Sequence, residues 1–172
     1  MLFEQWGATA EEVDGPVVGD DLIADATLIA TRAIDCDGAP DTIYPWLAQM
    51  GFGKAGWYSY DLLDNLGRRS ADEIRPEWIV TEGEHVPGGP ILFTATIARP
   101  GDAFVLSLRQ RRIDFTLAFD LRPSATGTRL VTRVRSRLRF PGGRLVERFG
   151  LGPGDGIMVR KQLLELQKRT AR

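Results

Sequence analysis

The stretch Thr128–Phe140, TRLVTRVRSRLRF, alternates between two kinds of side chain, with one exception at Val131. One set of alternate positions is basic: Arg129, Arg133, Arg135, Arg137 and Arg139. The other set is apolar or hydroxylated: Leu130, Thr132, Val134, Ser136, Leu138 and Phe140. Because successive side chains of a β-strand point to opposite faces, this pattern predicts a half-buried strand with a cationic outer face.

Four further segments predict strands, because they are short, rich in β-branched or aromatic residues and bounded by turn residues. They are Ala26–Ile34, Ile91–Ala98, Ala103–Gln110 and Ile113–Leu121. The last three of them and the strand at 128–140 follow one another through short connections. Short connections join antiparallel neighbours, so the second half of the chain predicts an antiparallel meander.

Two short helices are predicted between the first strand and the meander. Asp41 is a suitable N-cap for the first, Pro45 is expected in its first turn, and the helix is expected to end at Gly51. The second is predicted within residues 57–66, WYSYDLLDNL. Both are short, so their stability depends on packing against the sheet.

One longer helix is predicted at the end of the chain. The glycine-rich run at 150–154 is expected to stop whatever precedes it, and Asp155 is a suitable cap for a helix over Gly156–Thr170. Helical spacing places Val159, Gln162, Leu163 and Leu166 on one side, with Met158 at its edge. A strand, two short helices, a meander and a terminal helix make an α+β fold.

The composition of the 172 residues, with 43% apolar and 26% charged side chains, predicts one globular domain. Residues 1–21 are acidic and interrupted by Gly15-Pro16, so we expect a loosely attached N-terminal arm before a domain over 22–172. No apolar run is long enough for a membrane span and the start lacks a signal-peptide pattern, which favours a cytoplasmic protein. The single cysteine, Cys36, predicts an inert strand or loop residue.

The net charge of -1 hides a strong asymmetry along the chain. Residues 1–41 carry ten acids and one base, whereas residues 99–172 carry six acids and seventeen bases. A basic half allows a nucleic acid or an acidic surface partner. The alternation of the arginines favours a solvated strand face, answered by the acidic N-terminal third, and no exposed aromatics for base stacking are interleaved with them. We therefore predict no nucleic-acid partner.

Residues 51–56, GFGKAG, match the G-x-G-x-x-G fingerprint of dinucleotide-binding proteins. That fingerprint works when the glycines leave a strand and deliver a pyrophosphate to the start of a helix. Here the glycines leave a predicted helix, so they favour a helix end and a chain reversal. Lys54 precedes alanine, so the P-loop ending is also missing, and no cofactor is predicted.

His85 is the one histidine, and it is a weak catalytic candidate. Glu82 and Glu84 lie near it in sequence, yet neither their spacing nor the number of ligands matches a zinc site, so no metal is predicted. No G-x-S-x-G motif occurs, and nothing else indicates a Ser-His-Asp arrangement. The catalytic residues, if the protein has any, stay unknown at this stage.

From about Leu22 to Arg169 the chain resembles the SRPBCC superfamily of helix-grip proteins, which includes START domains and polyketide cyclase/dehydrase-like proteins. The segments that carry the resemblance are APDTIYPWLAQMGFGKAGWYSYDLLDN, SADEIRPEW, VPGGP and GPGDGIMVRKQLLELQKR. They are most similar to a bacterial subgroup that is described as cyclase-like or uncharacterised. The resemblance implies a curved antiparallel sheet wrapped around the terminal helix, with a hydrophobic cavity between them.

Such a sheet and a single helix leave space unless large side chains fill it, so an apolar pocket is expected. The candidate lining residues are Phe115, Leu117, Phe119, Thr132, Val134, Ser136, Met158, Gln162 and Leu166, with Trp57, Tyr58 and Tyr60 at the mouth. Plain core packing is the alternative for each of them. The polar members need a partner when buried, and that partner is a ligand, the local backbone or water.

The leading functional prediction is binding of a hydrophobic or aromatic small molecule, such as a lipid, a polyketide or another secondary metabolite. One alternative is a polyketide cyclase/dehydratase-like enzyme, which two or more converging titratable groups in the cavity would favour. A second alternative is an interaction module that uses the arginine-rich sheet face, which a filled cavity would favour. The expected assembly is a monomer or a homodimer.

Overall fold

A computed structural model describes residues 4–171, and its centre is a curved, six-stranded antiparallel sheet in the order β1-β6-β5-β4-β3-β2. The strands are β1 Leu28–Cys36, β2 His85–Pro87, β3 Leu92–Arg99, β4 Ala103–Gln110, β5 Ile113–Ser124 and β6 Gly127–Leu138. The predicted meander is confirmed, with β3 to β6 each antiparallel to the next. Strand β6 then pairs with β1 on its other side.

The helices are α1 Ala10–Asp14, α2 Pro40–Ala48, α3 Asp61–Asp64, α4 Gly143–Val146 and α5 Gly152–Thr170, with 3-10 turns at Asp20–Ile23 and Pro76–Trp78. A π-helical turn, Glu147–Leu151, joins α4 to α5. The terminal helical segment therefore runs for 28 residues from 143 to 170. No helix within residues 4–171 is long and apolar enough to cross a membrane.

The predicted break at 150–154 is wrong, because the chain stays helical through it. Gly152 has helical backbone angles, and Pro153, the second residue of α5, lies just after the π-helical turn at Glu147–Leu151. Asp155 is consequently inside the helix and is not its cap. A similar correction applies to α2, where Ala39 is the N-cap and Pro40 opens the helix, so Asp41 lies in the first turn. Pro45 lies further inside α2 than predicted.

The two faces of β6 contribute to two separate hydrophobic clusters. Leu130 and Val134 face inward with Leu117 and Phe119 of β5. Helix α5 packs over this inner face through Val159, Leu163 and Leu166, which are all buried. The main core therefore lies between the sheet and α5.

The outer face of β6 is covered by the N-terminal segment, residues 4–24. Val17 of this segment packs against Val105, Ala118 and Val131 in the second hydrophobic cluster. The expectation of a loosely attached arm is not met by these residues, because they are held to the sheet by both apolar and ionic contacts.

Arg133 anchors the segment through five hydrogen bonds. Its guanidinium donates to the carbonyls of Glu12, Val13 and Gly15, to the Asp20 carboxylate at 2.6 Å and to the Thr31 hydroxyl. Its side chain is only 4% exposed. The guanidinium is thus a buried charge with its donors satisfied, which is the condition for keeping an ion in a protein interior.

We predict that Arg133→Met lowers the free energy of unfolding by about 3 kcal/mol, because it leaves buried carbonyls without a donor and removes the shortest ion pair of Asp20. The matched control is Arg137→Met on the same strand face, whose partner is Asp25 and whose side chain is 35% exposed. That change is expected to cost less than about 1 kcal/mol. Urea denaturation measures both, and equal losses would contradict this account.

Glu12 gives a prediction that depends on pH. The hydrogen bond from Arg129 holds the pKa of Glu12 at about 2, below its ordinary 4.5. A lowered pKa contributes stability that is present above the ordinary value and lost as the pH falls through the folded one. The free energy of unfolding of the wild type should therefore exceed that of Glu12→Gln above pH 4.5, and this difference should shrink as the pH falls from 4.5 to 2. Urea denaturation across this range measures it, and the exposed neighbour variant Glu11→Gln should show no such trend.

Candidate ligand-binding site

A cavity of about 550 Å³ lies between the inner face of the sheet, helix α5 and the two loops that follow α2 and β2. Its wall is largely apolar and aromatic. The lining residues are Phe52, Trp57, Ser59, Leu63, Asp64, Leu66, Gly88, Gly89, Pro90, Ile91, Phe93, Phe115, Leu117, Asp155, Met158, Val159 and Gln162. The volume lies within the range of small-molecule sites.

The loop at 51–56 forms one end of the wall. Gly51 and Gly56 pair with each other as a short bridge, and the Phe52 N–H donates to the Pro87 carbonyl at 2.7 Å. Gly53 and Gly56 have φ of +74° and +75°, which side-chain-bearing residues rarely adopt. The glycines therefore make a closed loop that carries Phe52 and Trp57, and they do not lead from a strand into a helix as the dinucleotide fingerprint requires.

Three aromatic rings line the cavity in a chain. The Trp57 and Phe93 rings meet nearly edge to face, with centroids 5.7 Å apart, and Phe93 lies 6.0 Å from Phe115. Edge-to-face and offset pairs of this kind are favourable arrangements of aromatic quadrupoles. Phe93 comes from β3, Phe115 from β5 and Trp57 from the loop, so the rings fix the loop against the sheet.

The two neutral polar side chains on the wall are satisfied by the protein. Gln162 is buried on α5 and donates to the Trp57 carbonyl at 2.9 Å. Ser59 donates to the Met158 carbonyl at 3.0 Å. Both bonds join the loop to α5, so these groups hold the wall together.

A buried ion pair lies behind the cavity at α5. Arg32 of β1 is fully buried on the inner face of the sheet, and its Nη1 donates to Asp155 Oδ2 at 2.7 Å. Asp155 lines the cavity and its side chain is 15% exposed. Burial raises the pKa of Asp155, and the charge and hydrogen bond of Arg32 oppose that rise.

Asp64, at the end of α3, is a second carboxyl on the wall. Both of its carboxylate oxygens are buried and lie outside hydrogen-bonding geometry with the described residues. Burial raises the pKa of Asp64 and the nearby Asp61 adds to the rise, while the amides of Tyr60 and Asp64 itself partly oppose it. Asp61 differs, because its carboxylate accepts from the Ser70 hydroxyl and amide.

The mouth of the cavity lies at α3. Leu63 and Leu66 line the cavity and are each 74% exposed to solvent. Leu62, their neighbour, is also exposed. The segment is bounded by two non-glycine residues with positive φ, Tyr58 and Leu66, which is a strained backbone held by its surroundings.

The structure brings five of the predicted lining residues to the wall: Trp57, Phe115, Leu117, Met158 and Gln162. It places Phe119, Val134 and Leu166 in the main core, fully buried and away from the wall. Phe119 and Val134 share the inward parity of their strands, and Leu166 lies on the buried side of α5, yet all three are packed in the core. Alternation selects a face of the sheet, and it cannot separate packed positions from cavity positions on that face.

The remaining predicted residues also lie outside the wall. Ser136 donates to the buried Glu147, and Tyr58 accepts from Gln49 at 2.8 Å, with burial raising the pKa of Tyr58 to about 12. The buried Thr132 hydroxyl has no hydrogen-bond partner among the described residues. Tyr60 is exposed at the start of α3. Ligand contact by any predicted residue stays a prediction.

His85 lies exposed on the edge strand β2, with its Nδ1 3.4 Å from the Thr94 hydroxyl, and it does not line the cavity. The residues that the sequence reasoning missed include Phe52, Asp64 and Asp155. A signal for the Arg32–Asp155 pair does exist, because Arg32 is a lone base on the apolar positions of its strand. Asp64 carries no comparable signal, since its burial depends on the loop.

A scan of protein-family models and a search of the curated proteins both return no match. Solved structures do match. A Chromobacterium violaceum protein has a TM-score of 0.51 at 11% identity, covering 84% of this chain and 97% of its own. A Rhodobacter sphaeroides protein has a TM-score of 0.50 at 14% identity, covering 81% and 90%.

A third similar structure is the di-domain ARO/CYC StfQ from the steffimycin biosynthetic pathway. Its TM-score is 0.50 at 16% identity, and the match covers 87% of this chain and 52% of StfQ. These likenesses establish the fold. The chain has the helix-grip fold that the sequence resemblance implied.

The Arg32–Asp155 pair gives a prediction for this site. Arg32→Met should lower the free energy of unfolding by about 3 to 5 kcal/mol, because it leaves a buried carboxylate without its cation. The double variant Arg32→Met/Asp155→Leu should recover part of that loss, since it removes both charges. Urea denaturation of the two single variants and the double variant forms the cycle. Strictly additive losses would contradict direct coupling.

Proposed function

We propose that this protein binds a hydrophobic or aromatic small molecule in the cavity between the sheet and α5. The observation that supports this most strongly is the cavity of about 550 Å³ with a largely apolar and aromatic wall. Apolar surface transferred from water to such a wall gains roughly 25 cal/mol per Å². A ligand of moderate size can therefore bind through burial alone.

The ligand class that we propose is a lipid, a polyketide or another secondary metabolite. StfQ is named as an ARO/CYC protein from a biosynthetic pathway, which makes a biosynthetic intermediate a natural first candidate. The exposed Leu63 and Leu66 at the mouth give an apolar entry path. An apolar mouth lowers the cost of moving such a molecule out of water.

A second candidate is acid–base catalysis on the bound molecule, as in a polyketide cyclase/dehydratase-like enzyme. The observation that favours it is that two carboxyls with raised pKa, Asp64 and Asp155, line one cavity. Titratable groups with shifted pKa values are typical of catalytic sites. Conversion of an extracted ligand by the wild type, and loss of that conversion in Asp64→Asn, would establish catalysis.

The arginine-rich sheet face is poorly suited to the remaining alternative, a protein-interaction module. The N-terminal segment already occupies Arg129, Arg133 and Arg135. An external partner would have to displace its buried contacts. The open cavity also differs from the filled interior that would favour an interaction module.

Filling the cavity should weaken ligand binding. Met158→Trp should weaken the binding of the uncharged dye Nile red at least about tenfold, because the indole occupies the cavity and the ligand loses buried surface. The matched control is Ile157→Trp, whose parent side chain is 45% exposed and outside the wall. Dye fluorescence titration measures both, after circular dichroism shows that each variant is folded. Equal affinities for the two variants would contradict the proposal.

Native mass spectrometry of the purified protein, followed by solvent extraction, would identify a bound molecule directly. A co-purifying apolar molecule that is absent from Met158→Trp would support binding in this cavity. A molecule that the wild type and Met158→Trp retain equally would indicate a binding site outside this cavity.

A further inference from the structure

The charged groups on the cavity wall are all acidic. Asp64 and Asp155 line the cavity, and no lysine, arginine or histidine is among the lining residues that the structure describes. Arg32 compensates Asp155 from behind, because it is fully buried and bonded to that carboxylate at 2.7 Å. The uncompensated charge on the wall is therefore that of Asp64.

The other polar groups on the wall are already engaged. Gln162 and Ser59 donate to backbone carbonyls, so their donors point to the protein. The buried oxygens of Asp64, in contrast, receive no well-formed hydrogen bond: the amides of Tyr60 and Asp64 lie near enough to favour its charge, but no described donor meets hydrogen-bonding geometry with them. A buried acceptor without a donor is unfavourable, and a charged one more so. A donor brought by a ligand would remove that cost once the carboxylate, whose two oxygens are closed to solvent here, turns toward the cavity.

The aromatic residues of the cavity suit the same kind of ligand. Trp57, Phe93 and Phe115 present a continuous ring surface in the same cavity. Aromatic faces attract cations as well as apolar groups. They do not attract anions, so the wall as a whole disfavours a carboxylate.

We propose that the cavity selects an apolar molecule that carries a hydrogen-bond donor, above all a protonated amine, and that Asp64 binds this group. This proposal rests on the proposed ligand-binding function and specifies its ligand class. Asp64 lies in α3 beside the mouth residues Leu63 and Leu66. The donor therefore lies at the mouth end, and the apolar body extends inward toward Phe115 and Leu117. Molecules with a free carboxylate are rejected by the same charge.

Three matched probes test this selectivity: 1-naphthylmethylamine, 1-methylnaphthalene and 1-naphthoic acid. They share one apolar body and differ in charge. Isothermal titration at neutral pH measures each against the wild type and against Asp64→Asn, which keeps the shape of the side chain and removes its charge. The control Asp72→Asn removes an equal charge from an exposed position outside the wall.

The wild type should bind the amine at least about tenfold more tightly than the hydrocarbon, because a charge-assisted hydrogen bond in a buried site is worth that much or more. The naphthoate should bind most weakly. Asp64→Asn should lose the preference for the amine, whereas Asp72→Asn should keep it. The hydrocarbon affinity should be similar in all three proteins.

Two results would overturn the inference while leaving the cavity function intact. In the first, the hydrocarbon binds and the amine binds no better. In the second, the amine is preferred but Asp64→Asn keeps the preference. If none of the probes binds, including the hydrocarbon, the proposed binding function itself fails and this selectivity fails with it.

Discussion

Strand β6 is paired on both sides, and its side chains alternate between a face covered by the terminal helix and a face largely covered by the N-terminal segment. This constraint organises the molecule. Its apolar set forms the core with α5, and its arginine set needs an acidic cover. A shift of one residue in pairing would move the arginines into the core, so the register is strongly specified. The sheet, the helix and the N-terminal segment are therefore linked through one strand.

Nearly all of the buried charged side chains that the structure describes have hydrogen-bond or ion-pair partners. Arg133 is surrounded by carbonyls and Asp20, and Arg32 is bonded to Asp155. Glu147, at the π-helical turn, accepts from Thr27 and Ser136. Asp64 departs from this pattern, and it does so on the wall of the cavity. A protein that satisfies its other buried ions is expected to leave one open only where something else binds.

Much of the fold could be predicted from periodicity, because a buried face imposes its spacing on the sequence. The strand at 103–110 and the inward side of α5 follow directly from such patterns. The terminal helix was predicted too short, since the glycines at 150–154 look like a break. Helical hydrogen bonds and packing against β1 outweigh that local preference. The short-range signals of Gly and Pro are thus weaker evidence than the long-range apolar pattern.

The sequence by itself determined which residues of the main strands face inward and the order of strands and helices, because these depend on local spacing. It also excluded a dinucleotide site at residues 51–56, because the glycines there follow a helix. Only the tertiary structure decided where the inner face is packed and where it is open. Phe115 and Phe119 share one strand and one parity, yet one lines the cavity and the other is core. Asp64 and Asp155 likewise come from distant parts of the chain. Whether an inward-facing residue is packed or lines the cavity depends on the distances between α5, the loop at residues 51–60 and the sheet. No local sequence pattern encodes these distances.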